Sequence, residues 1–195
     1  HYCIGGIHRI NVDILKKPDH LHASEARIFL ESAIKEAGLD GTWPEIASKV
    51  LEVLAEAEAH VHAHHPALKG HFHGHEAVLH EASDIIIDIM GMAAGMRELG
   101  IQSIEYLDYV NVGSGTVAFS HGTLGVPTPA TRHILEKHAI QWKTSDAGLE
   151  MATPTGASIL AGCSATRALS EPLCCTKILA GGTRQLPPVV FMLED

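Results

Sequence analysis

The run Ile85-Ile86-Ile87-Asp88-Ile89-Met90, extending to Met96, is the longest apolar stretch of the chain and restricts its folding more than any other segment. It falls well short of the ~20 residues that cross a bilayer as a helix, so it has to be buried against other protein. Gly100 follows as a helix-stop residue, and the spacing predicts a helix from about His75 to Leu99. On that helix Glu76, His80, Asp84 and Asp88 recur at intervals of four and form one stripe. Acids set among isoleucines need a partner or an ion, which makes Asp84 a candidate metal ligand, ahead of Asp88.

The rest of the chain interleaves strand and helix signals. Residues 7–14 alternate apolar and polar side chains and read as a strand. Residues 23–37 read as a helix stopped by Gly38, and a second helix runs from about Pro44 to Ala59 with proline in its first turn. Pro66, Gly70 and Gly74 make residues 60–75 a loop with short extended pieces. Strand-like runs follow at 104–112 and 116–120, a short helix at 129–137, a short strand at 139–142, and a helix opened by Thr153 that runs through Gly162. Two more strands are expected at 174–180 and 189–193. The pattern predicts an α/β (α+β) fold, a mixed β-sheet packed with helices, in a single domain over residues 1–195. Hydrophobic residues at 46% against 19% charged supply a real core.

A net charge of −9 with only 14 Lys and Arg argues against a nucleic-acid partner. No segment reads as a membrane span or a signal peptide. Cys3, Cys163, Cys174 and Cys175 contain no C-x-x-C pair and read as reduced thiols. Together these features point to a cytoplasmic protein. The first residue is His1 rather than Met, which suggests a trimmed chain or part of a longer product.

The anomaly is 15 histidines, as many as the 14 Lys and Arg and one more. Histidine is the commonest side-chain metal ligand. In an extended segment residues two apart share a face, so His71, His73 and His75 would converge on a borderline divalent cation such as Ni²⁺ or Zn²⁺. His60, His62 and His64 repeat the spacing one loop earlier. The bland alternative is a solvated histidine-rich loop that catches metal loosely. On the long helix, His80-Glu81-x-x-Asp84 imitates the H-E-x-x-H helix of zinc peptidases with Asp in place of the second His. The candidate metal ligands are therefore His71, His73, His75, His80, Glu81 and Asp84.

Two small-residue turns could present backbone N–H groups to an anion: Gly113, Ser114 and Gly115, and Thr153, Thr155 and Gly156 at a helix start. Neither matches a P-loop or dinucleotide fingerprint, and each is more often only a turn. His121 follows the first turn closely enough to face the same cleft.

In order along the chain, His71-Phe72-His73, Leu79-His80-Glu81, Asp84-Ile85-Ile86-Ile87-Asp88, Val112-Gly113-Ser114-Gly115-Thr116-Val117, Ser120-His121-Gly122, Val126-Pro127-Thr128-Pro129-Ala130-Thr131, Thr153-Pro154-Thr155-Gly156-Ala157 and Gly181-Gly182-Thr183-Arg184 resemble the motifs of one family. These are the nickel insertion proteins, the LarC family, and the resemblance runs from about Ile4 to the C-terminus. It implies insertion of nickel into a pyridinium bisthiocarboxylate mononucleotide, with a nickel–carbon bond formed and CTP hydrolysed. It also implies a further C-terminal domain for CTP and metal, which this chain is expected to lack and which a partner chain would supply. Three functional classes follow. They are a nickel chelatase component acting on the pincer-nucleotide precursor, a non-catalytic metallochaperone or store for nickel or zinc, and a metal-dependent hydrolase. A homo-oligomer is expected from the apolar, small-residue sheet edge.

Overall fold

The computed structural model describes residues 2–10, 12–13, 20–65, 77–80, 82–119, 122–181 and 189–194. The elements in chain order begin with β1 (Tyr2–Ile4), β2 (Ile7–Arg9), β3 (His20–His22), α1 (Ala23–Glu36), α2 (Trp43–His64), β4 (Val78–His80) and α3 (Ala82–Glu98). They continue with β5 (Glu105–Leu107), β6 (Val110–Gly113), β7 (Thr116–Phe119), β8 (Gly122–Gly125), α4 (Pro129–Lys137) and β9 (Trp142–Thr144). The last are α5 (Pro154–Gly162), β10 (Thr166–Ala168), β11 (Thr176–Ala180) and β12 (Val189–Leu193). The chain divides into two compact units, residues 17–168 and residues 1–16 with 169–195.

The larger unit is organised by α2. Pro44 in its first turn is pre-set for helix, and Ala47, Val50, Leu51, Leu54, Ala57 and Val61 repeat at helical spacing to give one buried face. At 22 residues the helix is about 33 Å long, enough to pack against α1, α3, α4, α5 and β4 along its length. Leu54 is 1% exposed, and burying a side chain of that size stabilises by roughly 1.5–3 kcal/mol. Around α2 sit Leu30 of α1, Ile89 and Ala93 of α3, Ile134 and Leu135 of α4, and Ala157 and Ala161 of α5. The helix ends carry their own signals. The backbone N–H of His22 donates to Glu25 Oε2 at 2.9 Å at the start of α1, and Gly38, with φ +58°, closes it.

The α/β character is as expected, with five helices and mixed strands among the described residues, but the strands are dispersed. The smaller unit holds a four-stranded mixed sheet in the order β1-β2-β11-β12, with β2 and β11 parallel and the other pairs antiparallel. The larger unit holds two-stranded ladders: β3 with β4, β5 with β10, β6 with β9 and β7 with β8. The strand expected over 104–112 is two strands, because Asp108 takes φ 57° between them and Arg167 donates from Nη2 to its Oδ1 at 2.6 Å. The strand expected at 139–142 begins at Trp142, because Ala139 takes φ 53° as the chain leaves α4.

Two helix bounds differ from the sequence reading for one reason, long-range burial. The second helix does not end near Ala59; Val61 and His62 are 5% and 6% exposed and keep the buried face going to His64. The third helix does not begin near His75. Ala77 and Leu79 are buried in alternation, the period of a strand, and β4 pairs with β3 before α3 starts at Ala82. No helix among the described residues is long and apolar enough to cross a membrane.

Helix α5 leaves no room for a side chain against α2 at Gly162, its last residue. A Cβ there would lie 2.4 Å from Val50 Cγ2 and 2.9 Å from Val50 Cα, too close to either to fit. Gly162→Ala is expected to lower the unfolding free energy by about 1–3 kcal/mol through overpacking, read as a shift of the urea midpoint at unchanged m-value.

Candidate functional site

The candidates from the sequence fall partly inside and partly outside the described residues. His71, His73, His75, Glu81 and His121 lie outside the described residues. His80 is the last residue of β4, where the antiparallel register sets it opposite His20. The stripe expected along one helix is broken at His80, which is in β4 while Asp84 and Asp88 are on α3; Glu76 lies outside the described residues. The peptidase-like spacing of His80-Glu81-x-x-Asp84 loses its geometry with it, because the motif needs both ends on one helix. Asp84 is half-buried in the first turn of α3, and Asp88 follows one turn later on the exposed side. The Asp88 carboxyl is held above its usual range, first by the apolar surroundings and then by the charge of Asp84. Among the described residues no three His, Cys, Asp or Glu side chains stand arranged around a metal position.

The histidines at 60, 62 and 64 do not form the extended comb their spacing suggests. They occupy the last turns of α2, where residues two apart point in nearly opposite directions. His62 faces the core, with Nε2 3.8 Å from Glu58 Oε2, one turn back. Burial pushes the Glu58 carboxyl up to about 7. His60 and His64 face outward, their rings stacked with centroids 4.4 Å apart. His133 of α4 stacks on His60 at 4.0 Å. Sequence reading missed the Glu58–His62 pair and the His60–His64–His133 stack; continuing the apolar period of α2 from Ala57 to Val61 would have exposed the first, whereas the second depends on how α4 packs.

The two small-residue turns come out as parts of one assembly. The N–H of Gly113 donates to Asn111 Oδ1 at 3.0 Å, and the N–H of Ser114 donates to the Leu149 carbonyl at 3.1 Å. Ser114 Oγ accepts from the Gly148 N–H at 3.0 Å, and the Met151 N–H donates to the Val112 carbonyl at 3.1 Å. Gly115 accepts from the Val126 N–H at 3.0 Å, tying in the segment that leads through the cis Val126–Pro127 bond to α4. Residues 148–151 run on to Thr153, whose Oγ1 accepts from the Gly156 N–H at 3.1 Å and caps α5. Thr128 caps α4 in the same manner, its Oγ1 2.9 Å from Thr131 Oγ1. The Val112–Val117, Val126–Thr131 and Thr153–Ala157 blocks thus meet around one loop, with two threonine-capped helix starts among them. Thr131 and Ser158 are wholly buried polar residues just behind those starts. Ser145, whose N–H donates to the Gly113 carbonyl at 3.2 Å, has its Oγ buried without a hydrogen-bond partner.

Comparison with known proteins decides what this arrangement belongs to. The pattern of one family, described as nickel insertion protein, matches residues 4–193. The chain belongs to the nickel insertion protein family. Among its curated relatives, each provisionally named a nickel insertion protein, that of Methanosarcina mazei is 42% identical over 108 residues, 55% of this chain and 26% of the relative. That of Methanosarcina barkeri is 38% identical over 132 residues, covering 68% and 32%. That of Roseiflexus castenholzii is 33% identical over 160 residues, covering 80% and 39%. The matched region therefore spans between a quarter and two fifths of these relatives' length. No solved structure matches the chain.

Within this family's fold, Gly113 has an internal reason to be glycine. Its φ is +83°, and a Cβ would stand 2.0 Å from the Leu149 carbonyl oxygen. Gly113→Ala is expected to cost more than about 2 kcal/mol, since the positive φ and the backbone clash add, measured by denaturant titration. A variant as stable as the parent would show that the loop from Gly148 to Met151 moves aside freely. Glu58 yields a second expectation. Its proton is bound in the folded state at pH values where the unfolded chain has released it, so its cost is absent below about pH 4.5, grows up to about pH 7 and is complete above. Glu58→Gln is expected to match the parent at pH 4.5 and exceed it at pH 8, by at most on the order of 2–3 kcal/mol. The 23% exposure of the side chain trims that figure. Equal midpoints for variant and parent at pH 8 would mean that His62 holds Glu58 ionised.

Proposed function

We propose that the chain handles nickel for insertion into an organic cofactor, the acceptor being a pyridinium bisthiocarboxylate mononucleotide. The observation that carries this reading is the family match over residues 4–193. The chemistry of the donors supports it. Imidazoles and carboxylates of His71, His73, His75, His80, Glu81 and Asp84 suit a borderline cation and hold it less tightly than sulfur does. Thiocarboxylate sulfurs on the acceptor then draw the ion away from nitrogen and oxygen ligands. The threonine-capped starts of α4 and α5 are suited to the acceptor's phosphate through their free N–H groups, and the buried Ser145 Oγ offers one further polar contact nearby.

Titration calorimetry on metal-stripped protein at neutral pH tests the reading. One tight Ni²⁺ site is expected, lost when His71, His73 and His75 are changed together to Ala. The thiolated mononucleotide is expected to bind the parent and, by competition for the metal, to remove the ion from it. Several weak sites with no nucleotide binding would instead make the chain a histidine-rich metal store. Turnover of a hydrolysable substrate lost in Glu81→Gln, with metal retained, would point to hydrolysis.

A further inference from the structure

Among its described residues the smaller unit has no core of its own. None of its hydrophobic side chains is buried. It nevertheless holds most of the large hydrophobic residues that the described chain exposes, Ile4, Leu173, Val189, Val190 and Phe191 among them. A sheet normally buries an apolar face against a second layer, and exposed apolar residues gathered in one place mark a surface that meets another molecule. The strand registers gather them here. Ile4 stands beside Ile7, Ile7 beside Leu179 and Leu179 beside Val190, so one apolar row crosses the sheet from β1 to β12. At the end of that row β12 pairs with β11 on one side and, among the described residues, with no strand on the other.

We propose that β12 is a dimerisation edge, where a second copy of this chain adds its own β12 antiparallel and joins the two sheets into one of eight strands. Edge strands that stay alone are ordinarily very short, or blunted by charge, proline or a bulge. Val189-Val190-Phe191-Met192-Leu193 has none of these, and it pairs with β11 at all five positions without a register shift. The opposite edge, β1, has only three residues. The strand is also its own complement. About a two-fold axis at Phe191, antiparallel pairing sets Phe191 opposite Phe191 of the second copy, Val190 opposite Met192 and Val189 opposite Leu193. Every pair is apolar, and no charge meets its like, which matters for copies that each carry a net charge of −9. The nearest acid, Glu194, follows the strand and lies outside these pairs. A basic partner, by contrast, finds no acid within β12 to meet. The Val190–Met192 pairs carry the apolar row across the junction into the second sheet.

Five paired residues bury less than the ~1,200–2,000 Å² of a standard interface, so the dimer is expected to be reversible and to form in the micromolar range. The test uses the full chain with a chelator present, so that histidines cannot link copies through metal. Sedimentation velocity over a concentration series is expected to show monomer passing to dimer and no further. Phe191→Asp sets two carboxylates opposite each other at the axis and is expected to weaken the dimer by about tenfold or more. The register is read by cross-linking with diamide, in protein whose Cys3, Cys174 and Cys175 are changed to Ser. Residues directly opposed across antiparallel strands hold their Cβ atoms ~4.5–5.5 Å apart, near enough for a disulfide after a small adjustment. Phe191→Cys is therefore expected to give covalent dimer, and Ile4→Cys, on the far edge, to stay monomeric. A monomer at every concentration overturns the proposal and leaves the edge to a different protein. Assembly past the dimer, or cross-linking of Ile4→Cys as readily as Phe191→Cys, overturns it too. Circular dichroism separates a lost dimer from a lost fold; where Phe191→Asp unfolds, the two cysteine variants decide.

Discussion

Burial of one face of α2 is the constraint from which the larger unit takes its form. Every other helix packs on that face, and the β4 strand reaches it as well. Because the apolar stripe runs without a break from Ala47 to Val61, the helix cannot stop where its composition turns histidine-rich. That continuation sorts the three histidines of its last turns. His62 is carried into the core beside Glu58, while His60 and His64 are left on the outer face under α4. A change that shortened α2 would therefore remove packing and scatter imidazoles in the same step.

What could be read in advance follows the distinction between local and distant causes. Gly38 at the end of α1, Thr128-Pro129 at the start of α4 and Thr153-Pro154 at the start of α5 act through their own backbone preferences, and those bounds are where the sequence places them. The end of α2 and the start of α3 are set by what the chain meets across the core, which no window of a few residues contains. Histidine adds to the difficulty, being neutral to both the helical and the strand period. A comb of histidines two apart looks like a strand unless the apolar residues between them are followed. At the first of the two turns, much of the hydrogen-bonding capacity of the residues chosen as anion-binding candidates goes to the segment 145–151. Nothing in Val112-Gly113-Ser114-Gly115 alone announces that partner, which lies more than thirty residues on.

The glycines of that turn illustrate how a ligand motif and a packing motif can be the same residues. A Cβ at Gly113 would stand 2.0 Å from the Leu149 carbonyl oxygen, and one at Gly115 would press against Gly148 at 3.0 Å. The close approach puts the 148–153 segment between the turn and the start of α5, and Gly115 fixes Val126 ahead of α4. Small residues here build the platform whether or not their own N–H groups ever meet a ligand. The groups better placed to meet one are those at the two helix starts.

Donor softness gives the proposed cargo a direction of travel. A protein that passes nickel to a sulfur-bearing acceptor has to keep its own sulfur from competing for the ion. Cys163, the thiol of the larger unit, is half-buried beside Met92, with Sγ 3.9 Å from the thioether sulfur. Burial raises its pKa against the opposing pull of Lys49, so it remains a neutral thiol and a poor nickel ligand. Cys3, Cys174 and Cys175 belong to the other unit and are free. On the proposed nickel-insertion role, the larger unit would offer the ion nitrogen and oxygen donors, from which thiocarboxylate sulfur can draw it. On the same proposal, a thiolate in place of one of the candidate imidazoles would reverse that order of preference and hold the ion against transfer.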